Sequence, residues 1–367
     1  MGMVKRSIGI ITGAGIGPEI MDAALSCLKE IERIRREKFD YIFYSGPAPT
    51  VNDELEEAYS SLKEFYSKVK SKGGVILRSS LYAALVYKLR EDFNLLYKLI
   101  FLEPIPELLD VSPLKKEAAE RIKFLLIRDN AQGLYHSEEK LEKGTNGQQI
   151  VWLTSKYEEN KIEDIARVAF RLASQSRGIL HLLVKGCVLH KLAKLWIEVF
   201  EAVNHEFPEV SFDWDHPDCG LADMFITPHK FDVVVALDVD ADIISDFLSG
   251  LLYGTRAITP SGNFDPSSGF ATYQTIHGSA DVLAGQDKAN PIGMIMAVAM
   301  MLELSFGMAK EADLIRNAVR NVLLQGYRTS DIFPMKSHNH KLVGTAEMKE
   351  KIVEAIQKLN QEKFKDA

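Results

Sequence analysis

The chain has 367 residues, of which 46% are hydrophobic and 26% are charged, and its formal net charge is −7. These values are typical of a folded protein with room for two domains, and an acidic chain without a long basic run argues against nucleic acid as a partner. Three cysteines without a Cys-x-x-Cys spacing, and apolar runs well short of the roughly 20 residues that cross a bilayer, predict a soluble, cytoplasmic protein outside the membrane.

The N-terminal segment predicts a strand, a glycine-rich turn and a helix. Residues 7–12 form a short apolar strand, residues 13–18 (Gly-Ala-Gly-Ile-Gly-Pro) form the turn, and helical periodicity runs over residues 19–36. Proline suits the first helical turn, because its missing amide hydrogen would have no partner there. The spacing lacks the third glycine of a dinucleotide-binding fingerprint, so it does not indicate a Rossmann fold.

The elements that follow alternate between strands and helices. Strands are predicted at 41–44, 74–77, 121–128 and 234–237, and an amphipathic helix is predicted at 161–170. Residues 258–269, rich in proline, glycine and serine, predict a loop. The apolar run 292–302 predicts a buried helix, part of which could lie at a subunit interface. The alternation indicates an α/β protein with a sheet covered on both faces.

Two aspartates near the start of a predicted helix suggest a cation site. Asp242 and Asp246 are four residues apart, so both carboxylates project from one helix face. A hard cation such as Mg²⁺ or Mn²⁺ prefers oxygen ligands of this kind. By themselves, the two aspartates also suit a helix N-terminus, where the helix dipole stabilises negative charge.

A polar loop precedes the apolar helix. It runs from Tyr273 through His277-Gly-Ser-Ala-Asp281 to Asn290-Pro291, and its glycines let a flat ligand approach the backbone. Hydrogen-bonding side chains in the same loop could hold the polar edges of a nucleotide. The segment therefore predicts a nucleotide-binding loop.

Several segments share the order and spacing of one family's motifs. Residues 128–135 read Arg-Asp-Asn-Ala-Gln-Gly-Leu-Tyr, where the family has Arg-Glu-Asn-Thr-Glu-Gly-Leu-Tyr, and residues 108–115 (Leu-Leu-Asp-Val-Ser-Pro-Leu-Lys) are also similar. Residues 242–246 and the loop at 277–291 match further motifs. From about residue 7 to residue 356, the chain thus resembles the isocitrate/3-isopropylmalate dehydrogenase family of metal-dependent decarboxylating dehydrogenases.

The resemblance implies an α/β, isopropylmalate-dehydrogenase-like two-domain fold that is not a Rossmann fold. The large domain, on the cofactor side, would comprise residues 1–97 and 252–367, and the small domain residues 98–251. An arm at about residues 136–158 would clasp the partner subunit. The expected assembly is a homodimer with shared active sites.

The resemblance also implies roles for catalytic and substrate-binding residues. Tyr135 would return a proton to carbon after decarboxylation, and Lys185 would take the proton of the substrate hydroxyl. Arg90 and Arg128 would bind carboxylates, a contact that guanidinium makes bidentately. Val86 would line the pocket for the substrate's side group, where its apolar side chain favours an alkyl group over the extra carboxylate of isocitrate.

The metal and cofactor sites follow from the same resemblance. Asp242 and Asp246 would bind Mg²⁺ or Mn²⁺ together with Asp218 of the neighbouring subunit. The cofactor-binding residues would be His277, Gly278, Ser279, Ala280, Asp281 and Asn290. The acid at Asp281, without a lysine to meet a 2′-phosphate, favours NAD, while NADP is not excluded.

One departure from the family pattern affects substrate binding directly. Ile100 stands where a third arginine is expected, and Lys98 and Arg78 are the cations that could compensate for its loss. If nothing compensates, Ile100→Arg should tighten substrate binding. The other departures are Ala14, Ala83, Val184, Cys187 and Gln274.

These features predict an NAD- and Mg²⁺- or Mn²⁺-dependent dehydrogenase that oxidatively decarboxylates a 3-substituted malate, resembling 3-isopropylmalate more than isocitrate. The departures leave an alternative from another class, a non-catalytic regulatory or scaffold homologue of the family. Binding of Mn²⁺ and an alkylmalate distinguishes the two, because an inert scaffold should bind neither.

Overall fold

One ten-stranded sheet forms the centre of the fold. The computed structural model describes residues 6–47, 55–335 and 339–363. The strands are β1 (Ser7–Ile11), β2 (Asp40–Phe43), β3 (Val75–Arg78), β4 (Tyr97–Leu102), β5 (Phe124–Asp129), β6 (Glu138–Lys143), β7 (Gln149–Thr154), β8 (Ile179–Leu183), β9 (Ser211–Asp215), β10 (Val233–Ala236), β11 (Pro260–Phe264), β12 (Ala271–Thr275), β13 (Tyr327–Arg328) and β14 (Lys341–Leu342).

Helices alternate with these strands over much of the chain. They are α1 (Gly17–Arg35), α2 (Leu55–Ser71), α3 (Ala83–Asp92), α4 (Lys116–Ala119), α5 (Glu159–Ser174), α6 (His190–Asn204), α7 (Pro217–Ile226), α8 (Asp238–Tyr253), α9 (Ile292–Leu304), α10 (Ala309–Leu324) and α11 (Thr345–Lys363). The α/β class predicted from the sequence is confirmed.

The strand order in the central sheet is β2-β1-β3-β12-β11-β4-β5-β10-β8-β9. The outer parts of the sheet are parallel, and the antiparallel pairs lie in the middle, where β11 pairs with β12 and β4, and β4 pairs with β5. Along β3, Val75 and Leu77 belong to the larger hydrophobic cluster and Ile76 to the smaller one, so this strand is buried on both faces.

Two strands lie where the sequence predicted loops. The segment 258–269 contains β11, and the polar loop begins only after β12, so the loop prediction was wrong for these residues. Pro260 is tolerated because it is the first residue of its strand. A Cβ on Gly262 would come within 2.8 Å of the Phe264 ring and 3.1 Å of Tyr273, so glycine makes room for two aromatic rings that meet edge-on.

Helix α9 is the buried helix that the apolar run predicted. Its residues 292–302 are buried except Met296, and the helix packs on α1, α10, β11 and β12 of the same chain. The expectation that part of it lies at a subunit interface is therefore not supported. Within the described residues, none of the helices combines the length and apolar character needed to cross a membrane.

A two-stranded antiparallel hairpin of β6 and β7 stands apart from the central sheet. Its turn contains the Gly-Thr-Asn-Gly segment at 144–147. Leu141, Val151, Trp152 and Leu153 expose more than half of their surface. The hairpin is observed, whereas its clasping of a partner stays a prediction, as does the division of the chain into two domains.

Candidate active site

Two arginines and a tyrosine form the buried part of the site. Arg90 lies in the last turn of α3, and Arg128 lies near the end of β5, with 5% and 1% of their surface exposed. Tyr87, one helical turn before Arg90, accepts a hydrogen bond of 3.1 Å from Nη2 of Arg128, and its ring centre lies 4.7 Å from Cζ of Arg90. Tyr87 thus links the two guanidinium groups.

Part of each guanidinium group has no hydrogen-bond partner among the described residues. Nε and Nη1 of Arg90, and Nε of Arg128, are buried without an acceptor. Burial and the positive charge of Arg128 both lower the pKa of Arg90. Because an unsatisfied buried cation is costly, these donors indicate an anionic ligand.

Tyr135 reaches the same place from the turn after β5. Its phenol donates a 3.5 Å hydrogen bond to Oδ2 of Asp242, while Oδ1 of Asp242 forms an ion pair with Arg128. The backbone N–H of Tyr135 donates to Asp238 at 2.8 Å, which fixes the turn. Burial, followed by the charge of Asp242, raises the pKa of Tyr135 and keeps the phenol protonated. We call Arg90, Arg128, Tyr135 and Asp242 the arginine half-site.

A second cluster lies in the turn after β8 and at the start of α7. Lys185 and Asp218 form an ion pair of 2.5 Å, and their side chains are 34% and 66% exposed. The hydrogen bond from Lys185 raises the pKa of the lysine and lowers that of the aspartate. We call this pair the lysine half-site. Its lysine is held in the charged form, so a role as proton acceptor requires that Asp218 be engaged elsewhere.

The three proposed metal ligands do not meet within one chain. No group of three His, Cys, Asp or Glu side chains in the described residues could hold a metal ion. Asp242 lies against Arg128, Asp246 accepts a 2.8 Å hydrogen bond from Arg256, and Asp218 lies against Lys185. The donor set of carboxylate oxygens fits Mg²⁺ or Mn²⁺ chemically, but a single chain supplies only Asp242 and Asp246 from one helix face.

The predicted cofactor loop packs against the glycine-rich turn after β1. The N–H of Ile16 donates to the Ser279 carbonyl at 2.9 Å, and a Cβ on Gly15 would lie 2.1 Å from the same oxygen. The Ser279 hydroxyl donates to Asp281 at 2.9 Å, and Ala280 has a left-handed φ of 46°. The two loops therefore form one tightly joined surface.

Two residues of this loop differ in how many of their side-chain hydrogen-bonding atoms already have partners within the protein. Nε2 of His277 is buried without a partner among the described residues, and burial lowers the pKa of this imidazole, so a neutral acceptor is free for a ligand. Asn290 instead accepts from the N–H of Ile292 at 3.0 Å and donates to Asp331 at 3.1 Å. Its side chain thus binds the first amide of α9, and a role in cofactor binding stays a prediction, as it does for Gly278.

Some residues of the site were not predicted. Tyr87 was missed, although its position three residues before Arg90 on one helix face was a usable signal. Asp238 was missed because it precedes the Asp242/Asp246 pair and its contact with Tyr135 depends on the fold. Val86, predicted to line the pocket, is 9% exposed on α3.

The comparisons with known proteins cover nearly the whole chain. A family model described as isocitrate/isopropylmalate dehydrogenase matches residues 7–352. The chain is 32% identical to the 3-isopropylmalate dehydrogenase of Helicobacter hepaticus, over 96% of this chain and 100% of that protein, and 31% identical to that of Bacillus subtilis, over 95% and 98%. The crystal structure of isocitrate dehydrogenase from Methylococcus capsulatus aligns with a TM-score of 0.80 at 26% identity, covering 96% of this chain and 99% of that one.

Proposed function

The chain belongs to the isocitrate/isopropylmalate dehydrogenase family, and from this membership we propose that it oxidatively decarboxylates a 3-substituted malate, using NAD and Mg²⁺ or Mn²⁺. The arginine half-site supports this proposal most strongly. It places two buried guanidinium groups beside a phenol and a carboxylate, and several of the guanidinium donors have no acceptor among the described residues.

Arg90 and Arg128 would bind the substrate's carboxylates and hold the hydroxyl-bearing carbon toward Tyr135 and Asp242. Charge-assisted pairs of this kind are strong because both partners are ionised and the site excludes water. Ala84 and Val86, on the helix that carries Arg90, are apolar. They favour an alkyl side group over a charged one, and so a substrate that resembles 3-isopropylmalate more than isocitrate.

Two proton transfers fall to side chains of the two half-sites. Lys185 would accept the hydroxyl proton as the alcohol is oxidised to a ketone, and Tyr135 would protonate the carbon that has lost CO₂. Its raised pKa suits Tyr135 to this role, because the phenol stays protonated until the carbanion forms. Bound NAD would supply the hydride acceptor for this chemistry, and a divalent cation bound at the aspartates would supply electrostatic stabilisation of negative charge on the substrate oxygen.

A homodimer would complete the site. In one chain Asp218 lies beside Lys185 rather than beside Asp242 and Asp246. We propose that a second subunit brings its lysine half-site to the arginine half-site of the first, and that the β6–β7 hairpin with its exposed apolar side chains contributes to this contact. We further propose that the protein works in the cytoplasm.

The direct test is formation of NADH from a panel of 3-alkylmalates with Mn²⁺, with isocitrate as the comparison substrate. In the same assay, Arg128→Lys should lower kcat/KM roughly 10- to 150-fold, because lysine keeps the charge but not the bidentate contact. Arg320→Lys is the matched control, since Arg320 is half exposed and pairs with Glu107.

Two outcomes would contradict the proposal. If no alkylmalate yields NADH and calorimetry detects no Mn²⁺-dependent binding of an alkylmalate, the proposed activity is wrong. The result would then favour the non-catalytic alternative. If isocitrate is turned over faster than every alkylmalate, the substrate preference is wrong while the reaction class stands.

A further inference from the structure

A row of polar side chains crosses the middle of the central sheet. Thr272 on β12 pairs with Asn263 on β11, Asn263 pairs with Lys98 on β4, and Lys98 pairs with Arg128 on β5. Residues directly opposite one another on neighbouring strands point to the same face of the sheet. The polar row thus leads from the interior of the sheet to the arginine half-site, and Lys98 is the last residue before Arg128.

Lys98 is buried among like charges. Only 3% of its surface is exposed, and the charges that act on it within the described residues are Arg128, Arg90 and Arg78, which oppose its ammonium form, and Asp242, which favours it. The neighbouring polar side chains are used elsewhere, since Asn263 donates to Thr272 at 2.9 Å and accepts from Asn130 at 3.0 Å. An ammonium group in this position is costly unless an anion reaches it.

The surroundings of Lys98 are positively charged. Its cross-strand neighbour is Arg128, with Cβ atoms expected about 5 Å apart, and like charges directly opposite destabilise a sheet. Arg90 and Arg78 are also buried and interact with it electrostatically, and Asp242 is the acid that opposes them. Because Asp242 already pairs with Arg128, at least two positive charges lack compensation from the described side chains.

Residues 98 and 100 of β4 have different neighbours across the sheet. Ile100 points to the same face of β4, about 6.6 Å farther along, where it lies opposite Leu126 in the hydrophobic core. Both Ile100 and Leu126 are fully buried. Of the two positions, residue 98 lies opposite the arginine and residue 100 lies opposite a leucine.

We propose that Lys98 is a substrate-binding residue that contacts a second carboxylate of the ligand, beside the carboxylate bound by Arg128. The inference rests on the proposed function, because it assigns part of the same pocket. It makes Lys98 a determinant of specificity for dicarboxylates over monocarboxylates, and it supplies at position 98 the positive charge that is lacking at Ile100.

The direction of the lysine's pKa agrees with this role. Burial, and then the charges of Arg128 and Arg90, lower the pKa of Lys98 well below its usual value. A carboxylate brought next to the amine would raise that pKa again. Binding of a dicarboxylate should therefore be accompanied by proton uptake, which the dependence of the binding heat on the buffer's ionisation enthalpy measures.

The test compares two ligands and two lysine variants. Calorimetry with Mn²⁺ and without nicotinamide would measure the affinity of 3-isopropylmalate and of 2-hydroxy-4-methylpentanoate, which lacks the second carboxylate. Wild type should prefer the dicarboxylate, and Lys98→Met should reduce that preference roughly 10- to 100-fold. Lys68→Met, at an exposed position of α2 that forms no ion pair with the residues the structure describes, should leave the preference unchanged.

The thermal stability of the Lys98→Met protein distinguishes a ligand-binding role of Lys98 from a structural role. If Lys98 serves the ligand, the ligand-free Lys98→Met protein should melt at or above the wild-type temperature, because a buried polar amine has been replaced by an apolar side chain of similar length. A clear loss of thermal stability in that variant would overturn the proposal and show that the lysine holds the sheet together.

The remaining outcomes distinguish this inference from the proposed function. If wild type binds the alkylmalate and Lys98→Met keeps the full preference for it, the role of Lys98 is wrong while the proposed function stands. If wild type binds neither ligand with Mn²⁺, the proposed function fails, and the inference fails with it.

Discussion

The arginine and lysine half-sites are built in opposite ways. Arg90 and Arg128 are almost completely buried, and Arg128 lies on a central strand with Lys98 opposite. Lys185 lies in a turn and Asp218 at the start of α7, and both are partly exposed and paired with each other. One half-site has unmet hydrogen-bond donors and excess positive charge, whereas the other is locally neutral.

This difference shows which part of the site depends on the fold of one chain. Burial fixes the arginines before any ligand arrives, so their geometry is preorganised. The exposed pair can exchange partners at little cost, because ion pairs in contact with water contribute at most about 1 kcal/mol. A second subunit could therefore engage Asp218 and release Lys185 without disturbing the sheet.

The largest expected effect tests whether the two half-sites meet across subunits. Tyr135→Phe and Lys185→Met should each lower kcat roughly 100- to 10,000-fold, because each removes one of the two proposed proton transfers. When the two variants are refolded together, hybrid dimers contain one intact site, so about a quarter of wild-type activity should return. Steady-state assays of the refolded mixture measure the fraction of wild-type activity that returns.

A matched mixture controls for refolding. Tyr135→Phe with Arg128→Lys places both defects in the arginine half-site, so each site of the hybrid keeps one defect and little activity should return. Recovery in this control, or none in the test mixture, would mean that the sites are not shared in the proposed way.

The second prediction concerns charge in the buried half. Sequence alone predicts that Ile100→Arg tightens binding. The structure instead places Ile100 in the core beside Lys98, so an added guanidinium should destabilise folding by about 3–5 kcal/mol. Urea unfolding measures this, and Leu324→Arg, at a position 74% exposed, is the control and should change stability little. A stable Ile100→Arg protein with a lower KM would restore the first expectation.

The smallest effect is a pH dependence next to the arginine half-site. Burial raises the pKa of Asp129, at the end of β5, to about 8, so the folded chain keeps a proton that the unfolded chain releases near pH 4. Stability from this group is therefore lost as pH rises from about 4 to 8. Asp129→Asn should make the free energy of unfolding less dependent on pH. The variant should be about 1–2 kcal/mol more stable than wild type at pH 8.

Urea unfolding at pH 5 and pH 8 measures how the free energy of unfolding changes with pH, which is the slope compared between the variants. The control is Glu64→Gln at an exposed position of α2, which should keep the wild-type slope. An Asp129→Asn protein with an unchanged slope would show that the carboxyl group is already ionised in the folded chain.

The sequence predicted elements with strong local signals and missed those defined by distant neighbours. Helices α1 and α5 were predicted from periodicity and Pro18. Strand β11 was not, because Pro260 and Gly262 suit a sheet only where β4 and β12 flank them. Similarly, Arg128 and Tyr135 were found from a motif, but the contact of Tyr87 with Arg128 depends on a helix and a strand meeting in space.

The position of β12 has a consequence for how the chain reaches its folded state. This strand inserts between β3 and β11, and Ile76 on β3 pairs with Thr272, about 200 residues later. Closing so long a loop carries a large entropic cost and slows folding. During synthesis, β3 lacks its neighbour on one side until residue 275 has left the ribosome. A nascent chain of intermediate length thus exposes an unpaired apolar strand edge and is prone to aggregation.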